Sequence, residues 1–284
     1  METFTQIILK RFLRNRLAVI GGIGVITMFI FGILGKAGIT PYKYTEISAQ
    51  NRLQPPSTRY ILGTDKFGRC VFSRMMRGAW VSLLVGFVSV GISVVIGTIL
   101  GSLAGFYGGI VDMLISRFID VMLCFPTFFL ILTLVAVIPT STAFPPIFLV
   151  MIVIGFTSWM GVARLVRGEF IALREREFVL AATGLGASNA RIIFKHILPN
   201  AIGPVLVNAT LAIATAILTE AALSFLGLGV QAPEPTWGNM LTESKDIMEH
   251  AWWMSIFPGL AIFLTVMSYN LLGEGLRDAV DPLS

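Results

Sequence analysis

Six apolar stretches punctuate the chain, over residues 17–35, 80–106, 118–138, 146–166, 201–228 and 252–272. Each supplies the roughly 20 residues that a helix needs to cross a hydrocarbon core about 30 Å thick. Backbone groups in lipid are satisfied only within a helix or a closed barrel, so each stretch is expected as a transmembrane helix. The polar interruptions are uneven. Two are long, residues 36–79 and 167–200, and the second divides the spans four against two. The pattern predicts an all-α membrane protein with about six transmembrane helices. The divisions are a short N-terminal segment (1–16), a first helix (17–35), an extracytoplasmic loop (36–79), a five-helix core (80–274) and a tail (275–284).

Composition supports the pattern. The chain of 284 residues is 55% hydrophobic and only 13% charged, with mean hydropathy +0.82. A soluble domain carries about twice that charge. The net charge of +5 therefore marks membrane-flanking segments, not a nucleic-acid surface. The first apolar run is longer than a secretory core and long enough to span a bilayer, so it is expected to be a retained helix. Cys70 and Cys124 fall at different expected depths and have no metal-ligand spacing. His196 and His250 are far apart, and no metal site is expected.

Charge also orients the chain. With six spans both termini share a side, and that side holds twelve of the 21 Lys and Arg residues. Of the other nine, eight lie within residues 36–79. With that loop set aside the count is twelve against one, which places both termini in the cytoplasm. The loop is an exception that the rule does not predict. Its stretch Phe72 to Arg77 is expected as a short interfacial helix with snorkelling arginines. Asp120 stands three residues after Arg117, a spacing that predicts a local ion pair.

Polar positions inside the spans form stripes. Ser82, Gly86, Ser89, Ser93 and Gly97 share one helix face, and Gly97-Thr98-Ile99-Leu100-Gly101 is a GxxxG. Small residues let helices approach closely in lipid; the alternative is the wall of a pore. Asn208, Thr215 and Thr219 share a face of the fifth span, with Glu220 beside them. A carboxylate there costs about 2.5–3.5 kcal/mol on insertion scales. These four residues are candidates for a translocation path, against a plainer reading as interhelical hydrogen bonding.

The connector 167–200 is far longer than two spans require. Residues 175–183 look helical, with Phe178, Val179, Ala182 and Leu185 as an apolar face. Gly184 and Gly186 end that helix. Ser188 caps a second one, expected to run to Pro199, with Ile192, Ile193 and Ile197 on one side and Arg191 and Lys195 on the other. Two amphipathic helices with basic edges suit a groove on a partner; the alternative is a loop packed on the protein's own surface.

The connector resembles the permease loop of binding-protein-dependent ABC importers, which has the form E-A-A-x3-G-x9-I-x-L-P. Ala181, Ala182, Gly186, Leu198 and Pro199 match it; Leu180 and His196 replace its Glu and Ile. Leu62-Gly63-Thr64-Asp65 with Gly68-Arg69 resembles the segment before the second helix of the peptide-importer branch, although Cys70 and Trp80 depart from it. Glu220 to Gly229, Pro235-Thr236-Trp237-Gly238, Asn270 to Gly273 and Asp281-Pro282 continue the resemblance in order. The likeness is to the second permease subunit of dipeptide and oligopeptide importers, a group that includes nickel and glutathione permeases.

The resemblance implies a type I importer fold in a bacterial inner membrane and a heterodimer with a second permease subunit. It also implies two ATPase subunits that carry ATP and Mg, and an extracytoplasmic substrate-binding protein. Glu177, Phe178, Ala181, Ala182, Gly184, Gly186, Arg191, Leu198 and Pro199 are then the ATPase-docking residues. No cofactor is expected on this chain, which lacks a GxxxxGK phosphate loop, and no catalytic activity. The rivals are a self-sufficient secondary transporter or channel, which needs repeat symmetry or buried ionisable residues, and a membrane-embedded enzyme, which needs a catalytic cluster.

Overall fold

A computed structural model describes residues 10–139 and 145–280. Residues 1–9 of the N-terminal segment and the Asp281-Pro282 motif lie outside the described residues. The described chain is helical: α1 (Arg16–Lys36), α2 (Val71–Tyr107), α3 (Gly109–Leu123), α4 (Thr127–Val137), α5 (Pro146–Thr157), α6 (Trp159–Arg174), α7 (Glu177–Gly184), α8 (Asn189–Phe225), α9 (Trp237–Ser244) and α10 (Trp253–Val280). Helices α5 and α6 form one span, with a break at Ser158. Five spans are long and apolar enough to cross a membrane alone, and α3 with α4 makes a bent sixth.

Local chemistry sets these boundaries. Asn15 caps α1, its side-chain oxygen accepting from the N–H groups of Leu17 and Ala18 at 3.1 and 3.2 Å. Gly108 and Gly109 both adopt positive φ, which separates α2 from α3. The third span departs from the expectation of one straight helix over 118–138. It begins at Gly109 and turns by 81° between Leu123 and Thr127. Pro126 is the physical reason: it has no N–H to continue the ladder, its ring collides with the preceding turn, and it pushes Phe125 out of helical conformation.

The segment Phe72 to Arg77 is also corrected. It is the opening of α2, a 37-residue helix about 55 Å long, and not a separate surface helix. Arg74 is 3% exposed and paired inside the protein, so it does not snorkel. Asp120 pairs with Arg164 of α6 at 2.7 Å, not with Arg117. A partner 44 residues away lies beyond any local spacing rule.

The GxxxG of α2 is a packing seam. An added Cβ would stand 2.6 Å from Val162 Cβ at Gly97, 2.5 Å from the Ala163 carbonyl oxygen at Gly101 and 2.6 Å from Phe170 Cβ at Gly105. Hence α2 and α6 run parallel in backbone contact, and the ends at Tyr107 and Arg174 lie together. Helix α1 packs antiparallel on α10 with an equally close approach, through Gly21 and Gly275. By these contacts both described termini and the connector share one end of the bundle, and residues 37–70 occupy the other. Gly101→Leu should cost about 1–3 kcal/mol by overpacking against main chain, visible as a lower melting temperature in detergent. An unchanged melting temperature would mean that the two helices can part freely there.

Candidate functional site

The connector is a braced turn. Helix α7 ends in a Schellman arrangement: the Gly186 N–H donates to Thr183 O at 2.9 Å and the Ala187 N–H to Ala182 O at 3.1 Å, with Gly186 at φ +78°. Ser188 Oγ accepts from the Arg191 N–H at 3.4 Å and starts α8. That helix does not stop at Pro199. It passes through a six-residue π-helical stretch, Ile192–Ile197, and continues as the fifth span to Phe225. Widening just before Pro199 relieves the clash and missing N–H that a proline brings to a regular helix.

Burial divides the expected apolar face. Val179, Ile192, Ile193 and Ile197 face inward and pack on Val162, Val166 and Phe170 of α6, and Ala182 is buried beside them in sequence. Phe178 and Leu185 face outward, with Leu185 89% exposed. Leu180 and Phe194, the latter 69% exposed, join them. Neither of these two belongs to the apolar face expected from the sequence, because amphipathic periodicity alone does not say which side of a short helix the spans will cover. Beside Leu185 lies a hollow of about 310 Å³, edged by Gly186, Arg191, Lys195 and His196. Glu177, Ala181, Gly184 and Pro199 are exposed and Leu198 is half-buried. Arg174 Nη1 donates to Phe106 O at 3.0 Å, which ties the turn's root to the end of α2.

The second feature is a polar cavity of about 300 Å³ between α2, the α5–α6 break and α8. Ser89 and Ser93 come from the stripe on α2, Ser158 from the break, and Asn208, Thr215 and Thr219 from α8. An adjoining, more apolar hollow of about 400 Å³ shares Asn208 and Leu211 and extends toward Arg277 at the connector end. Glu220 is not part of this lining. It is fully buried, its Oε1 accepting from Ser224 Oγ at 2.6 Å.

The opposite end carries an ionic network that joins residues remote in sequence. Arg74 bridges Asp65 at 2.7 Å and Glu243 at 2.5 and 2.9 Å. Arg69 reaches the same two carboxylates at 2.6 and 2.9 Å. Arg77 forms a forked pair with Glu234 at 2.9 and 3.0 Å. Burial pushes the Glu243 carboxyl upward, but hydrogen bonds and charge from Arg74, with help from Arg69, outweigh it and hold the group below its ordinary value of 4.5. A depressed carboxylate stabilises the fold fully above that ordinary value, and the contribution is lost as pH falls through the lowered one. Glu243→Gln should therefore lower the melting temperature at pH 7 and flatten the acid limb of the stability profile. An acid limb identical to that of the wild type would remove Glu243 from the network's energetics.

Comparison with known proteins places this geometry in a family. Residues 97–283 match the family described as binding-protein-dependent transport system inner membrane component. Residues 3–56 match the N-terminal TM domain of oligopeptide transport permease C. The dipeptide transport system permease protein DppC of Alkalihalophilus pseudofirmus is 46% identical over 273 residues, covering 96% of this chain and 88% of that one. The oligopeptide permease OppC of Bacillus subtilis is 38% identical, covering 96% and 87%. The glutathione permease GsiD of Pectobacterium atrosepticum is 40% identical, covering 96% and 89%. A solved structure of the MetNI methionine ABC transporter, in an inward-facing conformation, superposes with TM-score 0.53 at 20% identity, covering 70% of this chain and 94% of that one. That likeness establishes the fold as the one used by ABC importer permeases. The family match and these relatives, over nearly the whole chain, show that the protein belongs to the inner-membrane components of binding-protein-dependent transport systems.

Proposed function

We propose that this chain is one of two permease subunits of an ATP-driven peptide importer and has no catalytic activity of its own. It pairs with a second permease to enclose the path and receives cargo from an extracytoplasmic binding protein. ATP and Mg belong to two ATPase subunits. The end that holds both described termini and the connector is the cytoplasmic one in this reading, in keeping with its twelve Lys and Arg residues.

The observation that carries the reading is the braced turn. Leu180, Leu185 and Phe194 stand exposed at a bundle end, beside Arg191 and Lys195, on a turn whose buried side is locked to α6. Exposed apolar side chains on a rigid element are a docking surface. Because α8 runs unbroken from Asn189 to Phe225, an ATPase that pushes the turn also moves Asn208, Thr215 and Thr219. The cavity offers hydroxyl and amide groups and no ionisable side chain. Such a lining suits the amide groups of a peptide main chain, in keeping with the dipeptide and oligopeptide permeases among the relatives.

Co-purification tests the assembly: two ATPase chains and a second permease should be recovered, and an active lone chain would sink the proposal. Gly186→Val tests the turn. A β-branched residue at φ +78° costs of order 1–3 kcal/mol and should abolish ATP-coupled transport while membrane insertion persists. Normal transport by this variant would mean that the turn is not the coupler.

A further inference from the structure

The polar cavity and the hollow that adjoins it hold one ionisable side chain between them. Arg277 edges the hollow, together with Leu165, Pro204, Val207, Leu211 and Val280. The polar cavity, which shares Asn208 and Leu211 with it, has none.

Packing aims Arg277 at this hollow. Gly273, Arg277 and Val280 fall at i, i+4 and i+7 of α10, on one helix face. The outer two of the three touch α8. A Cβ at Gly273 would stand 2.5 Å from Leu211 Cδ2, and one at Gly203 would stand 3.0 Å from Val280 Cγ1. The two contacts run in opposite chain order, so α10 lies antiparallel on α8. Arg277, between them, comes about level with Val207, one residue before Asn208.

Nothing within the chain neutralises this charge. Arg164 and Arg167 of α6 are paired with Asp120 and Asp112. Arg277 is exposed and makes no ion pair or hydrogen bond among the described residues. Asp278 is turned toward α1, where Asn15 Nδ2 donates to it at 3.2 Å. Glu274 is exposed and lines neither hollow. A guanidinium is a planar fork matched to a carboxylate or phosphate. Left unpaired at the wall of a largely apolar hollow, it suits an anion that comes from outside the chain. A cation kept only to orient the chain would need no hollow. A lipid headgroup would satisfy the charge and leave the hydroxyl and amide lining beyond it unused. A linear peptide supplies a terminal carboxylate, then an apolar side chain, then main-chain amides, in the order that Arg277, the hollow and the polar cavity present.

We propose that Arg277 binds the C-terminal carboxylate of the transported peptide. This deepens the importer reading, on which it rests, by giving the cargo a direction. The peptide lies along α8 with its carboxylate toward the connector, and it leaves carboxylate first. Neither lining offers an acid to the peptide's ammonium group, so this chain does not read the other end.

The test uses the assembled complex in nanodiscs, without nucleotide or binding protein. Equilibrium binding is measured for alanyl-phenylalanine, its C-terminal amide and its N-acetyl form. The wild type should bind the free and N-acetylated dipeptides alike and the amide about tenfold or more weakly. Arg277→Gln should bind all three at the level of the amide, with an unchanged melting temperature. Arg277→Lys should keep part of the discrimination, because the charge survives and the fork does not. Glu274→Gln, on the same turn and outside both linings, should match the wild type. Discrimination retained in Arg277→Gln would place the carboxylate elsewhere and overturn the proposal. An equal loss in Glu274→Gln would do the same, since only the general charge of the helix end would then matter. So would discrimination that fades as anionic lipid replaces neutral lipid, which would make Arg277 a headgroup site. A wild-type complex that shows no saturable binding, yet transports peptide once binding protein and ATP are added, would overturn the proposal and leave the importer reading intact. A wild-type complex that transports no peptide under those conditions would overturn the importer reading itself.

Discussion

Leu185→Asp combined with Phe194→Asp is expected to strip the ATPase subunits from the complex. Both side chains stand in the open, 89% and 69% exposed, on a turn whose own packing lies on its other side. Their replacement removes little internal packing, so the isolated permease should melt within about 0.5 kcal/mol of the wild type. Apolar anchors at the centre of an interface are worth about 2 kcal/mol or more when truncated. The pair should therefore weaken ATPase association about a hundredfold or more. Quantitative co-purification and a titration of ATPase onto the permease pair read this directly. Full recovery of ATPase on the double variant would show that the partner grips some other surface.

Arg74→Ala should be the most damaging single change at the opposite end. Arg74 is 3% exposed and shares its guanidinium between Asp65, itself fully buried, and Glu243. Removing it leaves two carboxylates facing each other with only Arg69 between them. Breaking a buried ion pair from one side costs about 3–5 kcal/mol. Arg74→Lys should recover little, because a compact ammonium cannot fork to two acceptors. Thermal unfolding of the purified permease would show the drop, and Glu243→Ala added to Arg74→Ala should cost less than the two changes summed. Additive losses would mean that the two residues are not coupled.

The sequence conveyed some elements well, and the reasons differ by scale. Apolar run length is a one-dimensional property fixed by membrane thickness, so the spans were plain. Ser188 and Gly186 act within a turn of their own positions, so the cap and the Schellman end at the connector were also foreseeable. What the sequence concealed depended on contacts far along the chain. Arg74 looked like a snorkelling residue until α9 brought Glu243 to it from 169 positions away. Asp120 chose Arg164 over Arg117 for the same reason. Pro126 stood in plain view, and the apolar run simply outweighed it. Of the polar stripe on α8, Asn208, Thr215 and Thr219 line one cavity, and Glu220, only one residue further along, is turned into the packing. One residue is about 100° of helix, which a hydropathy profile does not resolve.

That same angle governs how the fifth span can change over time. Between Asn189, where α8 begins, and Asn208, where the cavity begins, the chain has no loop to absorb an added residue. An insertion of one residue there would swing everything beyond it by about 100° and advance it by about 1.5 Å. Asn208, Thr215 and Thr219 would then face the neighbouring helices or lipid. Substitutions in this stretch can drift, but its length is held in phase, like the distance between two gears on one shaft.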